Sequence, residues 1–132
     1  MSQQLMQTWL KLLAEKKFDE YPSLLSSDVV MQFPYAPSPL PREVRGLDSC
    51  MEVLQGFLGM FDSWEWGNLD IKECKEEGHV FATASSKAIT STGASYSNIY
   101  VLGAEFSEGN LVGYSEYFDP LPAMALMEQL GQ

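Results

Sequence analysis

The chain has 132 residues, a formal net charge of −10, 45% hydrophobic residues and 20% charged residues. That length and balance predict a single folded domain over residues 1–132, able to bury roughly two thirds of its unfolded surface. The acidic surplus argues against nucleic acid and anionic membrane as partners, since both need clustered Lys and Arg, and two cysteines with one histidine leave no disulfide scaffold and no His-rich metal site.

Leu5, Trp9, Leu12 and Leu13 recur at i, i+4, i+7 and i+8, the stripe of an amphipathic helix. Lys16 and Lys17 suit its negative end. A short helical segment from Phe18 to Leu25 follows, with Pro22 tolerable only in its first turn. Ser26, Ser27 and Asp28 read as a turn, and Val29 to Phe33 as a short strand. Residues 34–46 carry Pro34, Pro37, Pro39 and Pro41, interleaved with Tyr35 and Leu40. This predicts a stiff, irregular loop rather than a disordered linker, ending at Gly46. Leu47, Met51, Leu54, Leu58 and Phe61 mark a third helix, with Asp48 near its positive end. Gly56 and Gly59 in that helix are expected to allow close packing against a sheet.

From Trp64 the period changes from helical to alternating. Four strands are predicted, over 64–75, 79–90, 95–106 and 111–118. The breaks at 76–78, 91–94 and 107–110 are polar and contain glycine, as hairpin turns do. Helices followed by a meander of strands form an α+β pattern. Long antiparallel strands twist and curl. The predicted architecture is therefore a cone-shaped α+β barrel, a curved antiparallel sheet wrapped around the N-terminal helices, with a pocket between them.

The last strand carries the sharpest chemical signal. Val112, Tyr114, Glu116 and Phe118 share one side under strict alternation. An ionised carboxylate on an apolar face needs a partner or a job. Glu116 is either a pocket acid with a raised pKa, suited to proton transfer, or a hydrogen-bonded structural group, or the partner of Lys87. Tyr114 shares its side and could donate a hydrogen bond to a substrate oxygen, as could Tyr35 and Tyr96. Asn98 could orient a ring substituent. Pairing residue 106 with 111 places Val101 beside Glu116 and Asn98 on the other face, unless a bulge intervenes. The turn at 91–94 leaves two registers open: either Ser85 and Lys87 face inward, or Ser86 and Ala88 do. Trp64 and Trp66 share a face as pocket wall, subunit interface or core. His79 follows a turn and reads as solvated rim.

Several segments, in order, resemble the SnoaL-like polyketide cyclases of the nuclear transport factor two-like superfamily. They are Val29-Val30 with Phe33-Pro34, Arg45-Gly46 before the third helix, Tyr96-x-Asn98-x-Tyr100, residues 106–111, and Glu116-Tyr117-Phe118-Asp119-Pro120. Phe33 to Pro37, Leu40-Pro41-Arg42 and the Glu-Tyr-Phe-Asp-Pro-Leu ending look closest to the phenazine-biosynthesis A/B branch. The resemblance implies the cone fold, a pocket-facing acid at Glu116 acting as general acid or base, and a homodimer formed through the sheets. It does not extend to every chemistry of the fold. Members similar to limonene-epoxide hydrolase place an Arg and an Asp on the second long strand. Here that stretch reads Ala84-Ser85-Ser86-Lys87-Ala88, so that route of epoxide hydrolysis is not expected. The Asp base, Tyr and protonated Asp of ketosteroid isomerase find no counterparts.

The functional expectation is a cofactor-free and metal-free enzyme of isomerase, cyclase or condensation type. It would act on a hydrophobic, carbonyl-bearing or polycyclic small molecule. Glu116 would be catalytic, and Tyr114, Tyr35, Phe118, Trp64, Tyr96 and Asn98 would bind substrate. The alternatives are a non-catalytic carrier of lipophilic ligands with the same pocket, or an accessory subunit whose pocket is too small or too filled for ligand. No segment is long and apolar enough to span a bilayer, and the first residues lack a secretion signal's basic start and apolar run. A cytoplasmic protein without membrane partners is expected.

Overall fold

The computed structural model describes residues 2–131. The elements in order are α1 (Ser2–Glu15), α2 (Tyr21–Leu24), β1 (Leu25–Gln32), β2 (Glu43–Arg45), α3 (Leu47–Leu58), β3 (Phe61–Glu73), β4 (His79–Thr90), β5 (Ser95–Ser107), β6 (Asn110–Phe118) and α4 (Pro120–Gln129). The six strands form one sheet in the order β2-β1-β6-β5-β4-β3. The predicted antiparallel sheet is thus a mixed one. β1 lies parallel to β6, while every other neighbouring pair is antiparallel. β2 and β3 are its two edges, so the curved sheet is an open cone and not a closed barrel.

The long hairpins follow the alternating pattern closely. β4 buries Val80, Ala82, Ala84, Ser86, Ala88 and Thr90, and β5 buries the matching even positions from Tyr96 to Phe106. The register question on β4 is settled for Ser86 and Ala88. Lys87 lies exposed on the opposite face, paired across the strands with Ser97 and Glu65, and is no partner for Glu116. The β5–β6 turn has Glu108 at φ 51° and Gly109 at φ 81°. Two central residues with positive φ make the tight hairpin turn whose twist matches the flanking strands.

The helices cover the concave face. α1 buries Met6, Trp9, Leu10 and Leu13 completely, leaving Leu5 and Leu12 at the stripe's flank. Trp9 packs edge-on against Tyr21 and Tyr114 at 5.3 and 5.6 Å between ring centroids. Such large apolar side chains contribute roughly 1.5–3 kcal/mol each when fully buried, and this cluster fixes α1 to the sheet.

Other boundaries moved. Ser26 to Asp28 lie within β1, where the register to β6 shifts between Leu25 and Val30, rather than in a turn. The proline loop contains β2, which hydrogen-bonds to β1. α3 stops at Leu58, so Phe61 opens β3 instead of closing the helix. A Cβ at Gly56 would meet nothing within 4 Å, and one at Gly59 would meet only the Gln55 carbonyl group. Neither glycine serves close packing on the sheet. α4 was not predicted as a helix, although Asp119 accepts from the Leu121 N–H at 3.0 Å and Pro120 opens its first turn. A capping Asp followed by proline is a helix start.

Candidate functional site

A bulge on β6 decides what faces inward. Phe106 pairs with Leu111 as the sequence predicts, but Glu105 pairs with Gly113. One extra residue is therefore taken up at Val112. Leu111 and Tyr114, three apart, are both buried, and Val112 lines an outer groove instead of sharing Glu116's side. From there the pairs are Ala104 with Tyr114, Leu102 with Glu116 and Tyr100 with Phe118. Val101 pairs with Tyr117 on the outer face. Asn98 is buried on the inner one, the reverse of the unbulged count.

Glu116 lies on the wall of a cavity of about 100 Å³ between the helices and the concave sheet. Val53, Leu54, Phe57 and Leu58 of α3 form one side, and Trp64, Trp66, Tyr96, Tyr100 and Phe118 of the sheet form the other. Phe33, Ala36, Leu40 and Pro41 of the proline loop close it, with Leu13 from α1 and Ala123 from α4. Ordered aromatic and aliphatic residues among the prolines gave that loop its inward anchors. No Lys, Arg or His is on this wall, and Glu116 is its one acidic group.

The carboxyl is poised between two effects. Burial pushes its pKa up to about 7, while a hydrogen bond from Tyr114 pulls it down. The Tyr114 hydroxyl donates to Glu116 Oε2 at 2.6 Å. Tyr114 itself is only 3% exposed. Burial, with the neighbouring Glu116 charge, holds its own proton on well above the ordinary phenol range. Behind it, the buried Trp9 indole N–H is directed at the Tyr114 hydroxyl and pulls the phenol's pKa the other way, down. Trp9, Tyr114 and Glu116 therefore form a rigid row, with the carboxyl at its cavity end.

A second polar row runs along β4 and β5. The Asn98 amide is fully used: its Oδ1 accepts from the Ile99 and Asp119 N–H groups at 2.8 and 3.1 Å. Its Nδ2 donates to the Asp119 carbonyl at 3.0 Å and to the Tyr96 hydroxyl at 2.7 Å. Two backbone donors fix which end is oxygen. Ser86 Oγ and the Tyr100 hydroxyl share a hydrogen bond at 2.9 Å. Burial raises the pKa of both Tyr96 and Tyr100, and the Glu116 charge adds to each. Both phenols are thus neutral donors in the field of the carboxyl.

The sequence-predicted residues separate into three groups. Phe118, Trp64 and Tyr96 stand with Glu116 on the cavity wall. Tyr114 and Asn98 stand behind it, packed and hydrogen-bonded, and do not line it. Tyr35 is 56% exposed, with its ring edge-on to Tyr117 at 5.6 Å, away from the cavity. The bulge turned Asn98 inward, but the clamp on Asp119 holds its amide. Tyr35 is turned outward because the loop's inward positions are taken by Phe33 and Ala36. Sequence reasoning missed Tyr100 and Phe57, and left Trp66, which is on the wall, open between pocket wall, interface and core. Tyr100 shares parity with Tyr96 on one strand, which was a usable signal. His79 sits at the rim of the outer groove, 3.9 Å from Glu76. Among the described residues no three His, Cys, Asp or Glu side chains converge to hold a metal ion, and no helix is long and apolar enough to cross a membrane.

No protein-family model matches the chain, and no curated protein does. Solved structures do resemble it. A Bacillus subtilis protein solved as a "Putative Isomerase" superposes with TM-score 0.83 at 19% identity, covering 92% of this chain and 88% of that one. A phenazine biosynthesis-related protein from Pseudomonas aeruginosa gives TM-score 0.73 at 18% identity, covering 94% and 84%. A "putative polyketide cyclase" from Xanthomonas campestris pv. campestris gives 0.78 at 14%, covering 95% and 98%. At these identities the likeness is one of fold, and the fold is the cone of the nuclear transport factor two-like proteins, with its mixed sheet open.

Proposed function

We propose that this protein is a cofactor-free acid/base enzyme that moves a proton on a small, hydrophobic, carbonyl-bearing molecule. The observation that carries this is Glu116: one carboxyl, with a pKa raised to about 7, on a cavity wall otherwise apolar or phenolic. A group that titrates near neutrality both takes and returns a proton readily. As carboxylate, Glu116 removes a proton from the carbon beside the carbonyl, leaving an enolate. As carboxylic acid, it returns that proton to the same or another carbon. The balance needs no oxidant, metal or nucleotide. Isomerisation, cyclisation and condensation all use this step, and the isomerase and cyclase names borne by proteins of this fold agree with it. Tyr114 is a positioning residue in this scheme, because it touches Glu116 and not the cavity.

Deuterium exchange tests the reading. Enolisable ketones incubated with the protein in D2O are expected to exchange the hydrogens beside the carbonyl. Glu116→Gln should keep ligand binding and lose exchange. A wild-type protein that binds ketones without exchange would be the carrier of the alternative reading. The single acid favours that alternative, whereas the small cavity favours the accessory-subunit reading.

The same proposal includes a homodimer in the cytoplasm. Its support is the outer face of the sheet, where Phe81, Ile89, Ile99 and Val101 are all exposed on the side away from the helices. Phe81, Val101 and Ile99 gather towards one end of that face, with Ile89 set apart by Lys87 and Ser97, and gathered rather than scattered apolar exposure suits an association surface.

A further inference from the structure

Two donors near the cavity have no acceptor. The Trp64 indole N–H is buried and without a hydrogen-bond partner, although its ring is part of the cavity wall. The second is found by counting protons. Ser86, Tyr100 and Tyr96 carry three hydroxyl protons. The Ser86–Tyr100 bond uses one, and the adjoining Tyr100 and Tyr96 hydroxyls can use a second between them. Asn98 donates to Tyr96 and so takes none up. One proton is left over whichever way the row is oriented. Ser86 does not line the cavity, and Tyr96 does. An acceptor entering the cavity therefore draws the row into the order Ser86 to Tyr100 to Tyr96, each bond strengthening the next. The Trp64 and Tyr96 rings lie 6.1 Å apart between centroids, so the two side chains are neighbours on the cavity wall.

Size narrows the ligand. A dry apolar cavity of about 150 Å³ is enough for benzene. This one is about 100 Å³, smaller still, so a single ring enters only if the wall side chains give way a little, and a polycyclic frame is excluded. Its donors are on Trp64 and Tyr96, and its acceptor is Glu116. That combination fits a carbonyl oxygen, which only accepts, on a ring whose carbon-bound hydrogens meet the carboxylate.

We infer that Trp64 and Tyr96 together bind the carbonyl oxygen of a single-ring ketone or enone. The inference rests on the acid/base reading for its carbon chemistry, but not for the oxygen contact. The oxygen contact strengthens as negative charge develops on the enolate, which is where such donors accelerate a reaction.

The test uses cyclohex-2-enone labelled with ¹³C at the carbonyl carbon, titrated into the full chain. Bound to wild type, the carbonyl resonance is expected to move downfield, as hydrogen bonding polarises the C=O bond. Tyr96→Phe and Trp64→Phe should each weaken binding by about three- to tenfold and reduce the shift. Toluene, of similar shape without oxygen, should bind wild type and Tyr96→Phe equally, which establishes that the cavity is intact. Glu116→Gln should retain the shift. A downfield shift that persists in both variants overturns the inference, as does enone binding no tighter than toluene binding, or no enone binding at millimolar concentration. The two readings fail separately. If wild type shows the shift but no deuterium exchange, the acid/base function falls and the oxygen site stands. If exchange persists but Tyr96→Phe changes nothing, the reverse holds.

Discussion

At Glu116, burial and the Tyr114 hydrogen bond oppose each other, and burial wins. The folded pKa of about 7 lies above the ordinary 4.5. Between those values the folded chain holds a proton that the unfolded chain has released. The contribution to stability is therefore complete below about pH 4.5 and is lost as pH rises through about 7. Glu116→Gln removes the titration. It should leave stability at pH 4.5 nearly unchanged and raise it at pH 8, by at most about 3 kcal/mol. Urea unfolding at both pH values reads this, and an equal gain at both would contradict it. Tyr114→Phe removes the one interaction that lowers the pKa, so the Glu116 carboxyl should titrate above 7 in that variant. Carboxyl-resolved NMR is the measurement; a lower value would mean that Tyr114 stabilises the acid form instead. Both residues were legible in the sequence as a pair on one strand face. Their different roles were not. Only the packing of Trp9 against Tyr114 shows that the tyrosine is sealed behind the carboxyl.

Among the elements, β5 and the β6–α4 corner are joined by one side chain. Asn98 holds both the N–H and the carbonyl of Asp119, and Asp119 in turn caps α4. Ala123 of that helix is on the cavity wall, so the clamp ties the Tyr96 row to the helix that closes the cavity. Asn98→Ala should cost about 1–3 kcal/mol, because it leaves buried backbone groups unsatisfied. It should also speed amide exchange in α4 more than in α1. Uniform loss of protection would mean the clamp is ordinary core. Asp119→Ala removes the cap alone and should cost about 1 kcal/mol. The sequence predicted the long strands well because glycine-containing polar turns separate them and burial alternates along β4 and β5. It left residues 120–129 unassigned, although Pro120 sits in a first turn where no N–H is needed. It missed β2 because three residues are too few to show a period.

For the whole molecule, the sheet has two faces with different fates. The concave one is covered by helices and holds the cavity. The outer one leaves Ile99 at 66% and Phe81 at 52% exposure. If this face joins two copies, Ile99→Lys should shift a dimer toward monomer in light scattering at micromolar concentration and leave ketone binding in the concave cavity intact. A monomeric wild type would remove the dimer from the proposal.

The amino-acid sequence by itself determined the α+β order of elements, the four long strands with their turns, and the presence of one acid among aromatic strand residues, while the register of β4 on β5 came from the structure. Those are consequences of local periodicity and of turn chemistry. The tertiary structure alone decided which residues meet the cavity. A single bulge at Val112 reversed the face of every residue beyond it relative to β5, and a one-residue slip carries no signature in the pattern of a strand whose two faces both bear aromatic side chains. It also decided the parallel seat of β1 on β6, because which edge a short strand joins depends on contacts far apart in the chain, not on anything within its own eight residues.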